Sequence, residues 1–472
     1  MWQIGPGVYS LLLILLLITV SCATASSAKQ QPTLQHSDGN SVSNGTTTPT
    51  IGANTPGATS GITPTTNSTP SASDTGLHHY EYVFPDGAMY VYDMDHGHAL
   101  VKQKSLPTGA GVRGVVGDAA THRVYISFGS DGNSGGQMLA YDVVTDQVLW
   151  TRSYDFGIDS MSLTPDGKFI YMPAGELAGS SYWYVLNAAD GSPTGARING
   201  GSGPHNTVVS LNGAHVYMGA RNFANTPTYL TVADTANNGN VRNIGPFKEG
   251  IRPFVINRNE TLAYVTTTGL LGFQVADIQH GNILYTVDLT QLGFPNTPTG
   301  PSAPSHGIAL SPDETRVAVI DWPNDTVHIF DVTGVPASAP RKIADIQFSR
   351  SMHHNESSCA YDCAADGWLE YSRDGRFLYA GDVGDVIDTA TNRVLTNLAP
   401  LYNTRKMLEI DFQNGVSSYI PINRTSVGYG ANGVGNTSPV SVPALFALVP
   451  PVCQETRTRR KANTLVVTHS IN

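Results

Sequence analysis

Charged and histidine side chains recur at one matching position of an internal repeat, each just before an apolar strand segment. The residues at this position are Arg113, Asp159, His205, Arg252, His306, Gly367 (or Trp368) and Arg405. Guanidinium groups bind carboxylate, phosphate or sulfate with paired hydrogen bonds. The position therefore predicts a site that could hold a small anion.

A second set of polar residues follows the second strand segment of several repeats. The set comprises Glu176, Arg221, Asn222, Asp321 and Asp382. We expect these loops to open on the same face as the first set, so any ligand would lie there. The acids are equally able to pair with the bases and form a satisfied network without a ligand.

Two histidines stand in the first set and allow further chemistry. His205 and His306, with Asp159 or Glu176 close by, have the ligand types of a divalent metal site, although arginine neighbours would repel a cation. Alternatively, one histidine could act as a general base on a lactone or a similar ring. The sequence requires no cofactor, and a divalent metal is possible.

A separate cluster of metal-binding residue types lies in residues 352–363. His353 and His354 are candidate ligands for copper or zinc, together with Cys359 and Cys363. In an oxidising compartment the two cysteines would instead form a disulfide that consumes both thiols. We favour the disulfide.

The chain lacks the motifs of several enzyme classes. It has no glycine-rich phosphate loop before a helix, no Gly-x-Ser-x-Gly turn and no His-Glu-x-x-His pair. No catalytic residue is assigned from the sequence for this reason.

The repeat itself predicts the elements that position these residues. Its strand segments carry Tyr125, Tyr171, Tyr217, Tyr264, Ala318 and Tyr379 at one position, in steps of 46, 46, 47, 54 and 61 residues. A turn-capping Asp or Asn follows each strand pair. It occurs seven times, at Asp93, Asp142, Asn187, Asp234, Asp277, Asp331 and Asp388. A period in the mid-forties with about four short strands is typical of propeller blades.

The two ends of the repeat region complement each other. The first repeat starts at its second strand, residues 80–84, whereas residues 406–412 form a spare strand after the last repeat. Placing the spare strand inside blade one removes an exposed sheet edge. The predicted fold is therefore all-β, a seven-bladed β-propeller of four-stranded blades that a C-terminal strand closes by completing blade one.

The rest of the 472-residue chain divides by composition. Residues 1–25 are predicted to be an export signal, because their apolar run is too short to span a bilayer. Residues 26–76 are rich in Ser, Thr and Pro and predict a disordered stalk. The propeller is predicted for residues 77–412 and an irregular tail for residues 413–472.

The end of the export signal allows two fates. Ala23-Thr24-Ala25 fits ordinary cleavage, whereas Val20-Ser21-Cys22 resembles a bacterial lipoprotein box with Cys22 as the lipidation site. The expected location is extracellular or at the cell surface, with membrane contact only through a lipid anchor. The net charge of −10 argues against nucleic-acid binding.

Several segments resemble the YVTN-repeat and YncE-like bacterial propellers. Residues 264–267 (YVTT) stand where the namesake motif occurs, and residues 204–207, 305–308 and 384–389 are similar to segments of that family. The resemblance covers residues 77–412 and implies fold more than function, because the group includes binding proteins, quinoprotein relatives and lactonase-like enzymes.

Together, these observations predict an exported, monomeric propeller that binds a small anionic molecule or a protein partner at its channel mouth. The alternative is an exported enzyme of the lactonase, lyase or quinoprotein type that uses the histidines and arginines of the mouth.

Overall fold

The computed structural model describes residues 76–109, 111–222, 228–297, 302–356 and 364–423. The predicted export signal, the predicted stalk, Cys22, Cys359, Cys363 and the tail beyond residue 423 lie outside these ranges. Neither of the two short helices within the described residues is long and apolar enough to cross a bilayer.

Seven antiparallel sheets follow one another along the chain. Blade one begins with β1 (Leu77–Val83), β2 (Ala88–Asp93) and β3 (Ala99–Ser105). Blade two comprises β4 (Gly114–Asp118), β5 (Arg123–Gly129), β6 (Gly136–Asp142) and β7 (Gln147–Ser153). Blade three comprises β8 (Ser162–Leu163), β9 (Phe169–Pro173), β10 (Tyr182–Asn187) and β11 (Pro193–Asn199). Blade four comprises β12 (Pro204–Val209), β13 (His215–Ala220), β14 (Thr228–Asp234) and β15 (Gly239–Phe247).

The remaining blades repeat the same order. Blade five comprises β16 (Ile251–Ile256), β17 (Leu262–Thr267), β18 (Gly272–Asp277) and β19 (Asn282–Asp288). Blade six comprises β20 (Ile308–Leu310), β21 (Arg316–Asp321), β22 (Thr326–Asp331) and β23 (Arg341–Gln347). Blade seven comprises β24 (Trp368–Tyr371), β25 (Phe377–Gly381), β26 (Asp385–Asp388) and β27 (Arg393–Asn397). The last strands are β28 (Met407–Gln413) and β29 (Val416–Tyr419), and two 3-10 helices span Leu289–Leu292 and Ala399–Asn403.

This arrangement confirms the predicted seven-bladed β-propeller. The aligned residues lie on the second strand of each blade and are buried, as Tyr125, Tyr217 and Tyr379 illustrate. Apolar clusters form between neighbouring blades; Tyr217 and Leu230 of blade four, for example, pack in one cluster with Phe254 of blade five. Each sheet thus buries both faces against its neighbours, which explains why its inner strands are nearly continuous apolar runs.

The chain closes as predicted, with a C-terminal strand inside blade one. Strand β28 pairs with β1 over seven residues, from Leu77 opposite Gln413 to Val83 opposite Met407. The side chains of Leu408, Ile410 and Phe412 are buried in the cluster that blades one and two share.

Beyond the predicted boundary at Phe412, the described chain continues as a further strand. Strand β29 pairs with β28. The N–H of Gly117 in blade two then donates to the carbonyl of Pro421 (2.8 Å), and the N–H of Leu163 in blade three donates to the carbonyl of Ile422 (2.8 Å). The segment therefore joins blades one to three. Gly117 lies four residues beyond Arg113, which is about 13 Å along the strand at 3.3 Å a residue.

A buried acid lies in the closing seam and predicts a pH effect on stability. Glu81 is fully buried, lies opposite Glu409, and neither of its carboxylate oxygens has a hydrogen-bond partner among the described residues. Burial, and then the charges of Glu370 and Glu409, raise the pKa of Glu81 well above its ordinary value. The native state therefore holds a proton that the unfolded chain releases, and stability falls as pH rises through the gap between the two pKa values.

We expect Glu81→Gln to remove this penalty. At about pH 8 the variant should melt about 2–4 °C above the parent protein, and the gain should shrink towards about pH 5. Thermal unfolding across this range is the measurement. Glu249→Gln, at an exposed acid, is the matched control and should change little at any pH. A gain that does not depend on pH would refute the account of Glu81.

Candidate functional site

The aligned polar residues converge at the mouth of the central channel, where the inner strands begin. They surround a cavity of about 20 Å³, close to the room that one water molecule needs. The lining residues are Arg113, Asp159, Ser160, Glu176, His205, His306, Asp366, Trp368, Arg405 and Lys406. Most of the predicted first set is therefore brought together, with Glu176 from the second set.

Glu176 lies at the centre of this cluster. It sits on the loop between β9 and β10, and its Oε2 accepts hydrogen bonds from Nη1 of Arg221 and Nη1 of Arg252, each at 3.1 Å. Nη1 of Arg113 lies 3.7 Å from Oε1. Burial would raise the pKa of the Glu176 carboxyl, but the charges of His205, Arg252 and the other arginines hold it well below its ordinary value. The mouth therefore binds one carboxylate of its own.

His205 is fixed through one ring nitrogen. Its Nδ1 is 2.9 Å from Oδ2 of Asp159, on the preceding blade, and both side chains are buried. Because a carboxylate only accepts, Nδ1 donates to Asp159, and Nε2 is the ring nitrogen left for a ligand. Nε2 of His205 is buried and has no hydrogen-bond partner among the described residues. This atom is the clearest unmet hydrogen-bonding group of the mouth.

His306 also lines the cavity, with its ring tilted by 52° against that of His205. Its ring centroid is 5.6 Å from that of His205, and its Nδ1 donates to the carbonyl of Gly367 at 3.0 Å. Burial, and then the charge of Arg405, hold the pKa of His306 well below its usual range. His306 is therefore neutral at pH 7 and has its lone pair on Nε2. The sequence left open whether Gly367 or Trp368 stands at the matching position of blade seven. Trp368 lines the cavity, and the carbonyl of Gly367 accepts from His306.

The arginine on blade two has a carboxylate partner that the sequence did not single out. Nη2 of Arg113 donates to Oδ2 of Asp131 at 2.7 Å. Burial raises the pKa of Asp131 to about 6 despite the nearby Arg113 charge. Nothing in the repeat pattern marks Asp131, because it lies in a loop outside the aligned positions.

The opposite side of the mouth contains a second paired cluster. Nε of Arg405 and Nζ of Lys406 each lie 3.3 Å from Oε1 of Glu356, and Arg405 also pairs with Asp366. Burial would raise the pKa of Glu356, but Arg405 and Lys406 lower it to about 2. Burial and the charge of Glu356 raise the pKa of Asp382, whose Oδ2 accepts from the Gly367 N–H, well above its ordinary value.

Two predicted residues of the second set lie differently. Asp321 is fully buried in blade six, where it accepts hydrogen bonds from Asn324 and its Oδ2 is 3.0 Å from Nε2 of His328. It does not line the cavity, because the end of β21 directs it towards its own blade. Asn222 bonds to Ser202 and Thr228 at the edge of blade four.

The two candidate histidines of residues 352–363 contact different parts of the chain. Nε2 of His353 is 3.2 Å from the carbonyl of Trp322, whereas Nε2 of His354 is 2.9 Å from the carbonyl of Tyr402. Each ring also stacks on the aromatic side chain of the residue that it bonds. These contacts give both rings a packing role.

One group among the described residues has the spacing of a metal site. Ligand atoms of Asp159, Glu176 and His205 lie within 4.8 Å of one another. Its acids, however, already hold partners: Glu176 binds three guanidiniums, and Asp159 fixes His205. A cation there would lie beside Arg252 and Arg221 and be repelled by them. The geometry therefore suits hydrogen bonding and proton transfer better than metal coordination.

Comparisons with known proteins gave matches among solved structures only. No protein-family model and no curated protein matches the chain. Among solved structures, hydrazine synthase from Kuenenia stuttgartiensis is 16% identical, with 59% of this chain and 96% of that chain covered and a TM-score of 0.39. The Cps50 (Swd1) β-propeller domain from Myceliophteria thermophila is 10% identical, with 68% and 89% covered and a TM-score of 0.44.

A third similar structure is the dihydro-heme d1 dehydrogenase NirN. It is 11% identical, with 74% of this chain and 73% of that chain covered and a TM-score of 0.47. These similarities concern the fold alone. The fold and the site together define a seven-bladed β-propeller with a charge-compensated channel mouth that contains two oriented histidines.

Proposed function

We propose that the protein is an exported propeller of the YVTN and YncE-like type that binds a small organic acid at its channel mouth. The observation that supports this most directly is His205, whose Nδ1 is held by Asp159 while its buried Nε2 lacks a partner among the described residues. A buried nitrogen of this kind costs free energy until a hydrogen-bond partner reaches it.

An acidic O–H is the donor that suits His205 best. If the ligand releases its proton to Nε2, the imidazolium that forms is stabilised by the carboxylate of Asp159, 2.9 Å from Nδ1. The ligand anion then lies among guanidinium groups, which favour negative charge. A neutral alcohol could donate to Nε2 but would place no anion among the guanidinium groups.

Glu176 supports this choice of ligand, because its own carboxylate lies among these arginines. Its Oε2 is also 3.9 Å from Nδ1 of His205. Arg221 is the most exposed of its three arginine partners, with 24% of its side chain accessible, and is the first that an entering anion meets. The small cavity admits only the acidic end of a ligand, so the remainder lies outside it at the channel mouth.

Thermal unfolding with a panel of small acids tests the proposal. Acetate, pyruvate, succinate and citrate are compared with the uncharged amides of the same acids. We expect at least one acid to raise the melting temperature, by about 3 °C at a hundredfold excess over Kd, while its amide does not.

Three variants locate the effect. His205→Ala and Arg221→Ala should abolish the shift, whereas His280→Ala, at an exposed histidine that pairs with Asp277, should retain it. The proposal fails if no acid raises the melting temperature, or if the shift survives in both mouth variants.

The His205–Asp159 pair also favours a second candidate, an enzyme that opens a lactone ring. His205 Nε2 would take a proton from water, the oxygen would add to the lactone carbonyl, and the ring C–O bond would break as the proton passes to the leaving oxygen. Hydrolysis of γ-butyrolactone, followed by acid release, tests this. Activity that is absent, or equal in His205→Ala and the parent protein, would exclude it.

A further inference from the structure

A groove without charged side chains lies between blades three and four, on the side of the loops that follow β11 and β13. Its volume is about 340 Å³, which falls near the lower end of the range of about 300–1,000 Å³ for small-ligand sites. Two glycines let the backbone lie close to the core beneath it. A Cβ at Gly200 would be 2.7 Å from the ring of Trp183, and Gly201 has a φ of +106°.

Amides and hydroxyls line this groove. Asn199, Asn222 and Asn243 supply amides, and Ser202 and Thr231 supply hydroxyls. None of the groove's lining residues within the described ranges is charged. A ligand held here gains hydrogen bonds in both directions, because an amide both donates and accepts. Ionic ligands find no opposite charge among the described residues that line the groove.

Hydrogen bonds inside the groove orient these side chains. The hydroxyl of Thr231 lies 3.2 Å from both Oδ1 of Asn243 and the carbonyl oxygen of Gly200, and it donates its single hydrogen to one of them. The N–H of Gly201 donates to Oδ1 of Asn199 at 3.3 Å. Neither Nδ2 atom makes a hydrogen bond within the described part of the chain, so both remain available as donors to a ligand.

An aromatic ring stands beside the amides. Tyr229 lies two residues before Thr231 on β14, on the same face of the strand, and 38% of its surface is exposed. Val241, on the neighbouring strand β15, is 51% exposed in the same groove. Both side chains are therefore accessible to a ligand in the groove.

We propose that this groove binds a carbohydrate of one or two sugar rings. A pyranose presents hydroxyls at its edge, which both donate and accept, and a C–H face that packs on an aromatic ring. The amides of Asn199 and Asn243 match the edge, and the exposed ring of Tyr229 matches the face. The site is separate from the channel mouth, so this proposal does not depend on the organic-acid ligand.

Saturation-transfer-difference NMR with the full chain tests the proposal. The probes are cellobiose, maltose, lactose and N,N′-diacetylchitobiose. We expect transfer to at least one sugar, strongest at the C–H protons of one ring face. Titration calorimetry with that sugar should give a Kd that is about tenfold weaker or more in Tyr229→Ala and in Asn243→Ala.

Matched variants keep the test specific. Tyr90→Ala, on the corresponding third strand of blade one, and His205→Ala, at the channel mouth, should both retain the affinity of the parent protein. The proposal is overturned if none of the four sugars shows transfer. It is equally overturned if both groove variants bind as the parent does, or if His205→Ala loses binding and places the sugar at the channel mouth.

Discussion

A chain that ends at Lys406 should lose its cooperative unfolding transition. The truncation removes β28 and with it the buried side chains of Met407, Leu408, Ile410 and Phe412. At about 1.5–3 kcal/mol for each buried apolar side chain, the loss is about 6–12 kcal/mol. This is comparable with the whole stability of a typical domain, about 5–15 kcal/mol. The truncation also leaves β1 as an unpaired sheet edge that invites association.

A chain that ends at Asn414 is the matched control. It keeps β28 and loses β29 together with the contacts of Pro421 and Ile422 to blades two and three. We expect it to unfold cooperatively at a moderately lower temperature. Circular dichroism during heating, with light scattering to detect association, compares the two. If the chain that ends at Lys406 melts cooperatively within a few degrees of the chain that ends at Asn414, closure by β28 does not stabilise the propeller.

The second large effect is expected for Arg252→Ala. Arg252 is buried and joins three loops, donating to Oε2 of Glu176 (3.1 Å), to Oγ1 of Thr268 (3.0 Å) and to Oγ of Ser302 (2.6 Å). Removing one partner of a buried ion pair costs about 3–5 kcal/mol, because the remaining charge stays desolvated. Burial lowers the pKa of Arg252 to about 10, so the side chain is charged at neutral pH.

Denaturant unfolding measures this loss, and a double-mutant cycle assigns it. Glu176→Gln combined with Arg252→Ala should cost less than the sum of the two single changes, since the contact between the two residues is then lost only once. Arg341→Ala is the control, because this exposed arginine pairs with Asp331 at the surface and should cost about 1 kcal/mol or less. An equal effect of Arg252→Ala and Arg341→Ala would contradict the account of the mouth.

The fold was predictable from the sequence because its signals are local and repeated. The aligned tyrosines such as Tyr171 and Tyr264 fill the second strand of each blade, and the capping residues such as Asp277 end the third. The position of His205 and His306 on one ring followed from the same alignment, since each stands at the start of an inner strand.

The pairing within the mouth was not predictable in the same way. Asp131, Glu356 and Asp366 lie in loops that carry no repeat signal. Asp131 meets Arg113 within blade two, whereas Glu356 and Asp366 meet Arg405 where the ring closes. Asp321 was grouped with the mouth by its position after β21, yet its contacts with His328 lie within its own blade. The uncharged groove was not predictable, because Asn199, Asn222 and Asn243 form no motif along the chain.

The most direct measurement of the central claim is the ¹⁵N NMR spectrum of the histidine side chains with and without the best-binding acid. Without ligand, we expect His205 to have a protonated Nδ1 and an unprotonated Nε2, assigned by comparison with His205→Gln. Saturation with the acid should protonate Nε2 of His205 or draw it into a hydrogen bond, shifting its resonance far upfield. If saturation leaves the His205 nitrogens unchanged, the acid does not bind at the channel mouth as proposed.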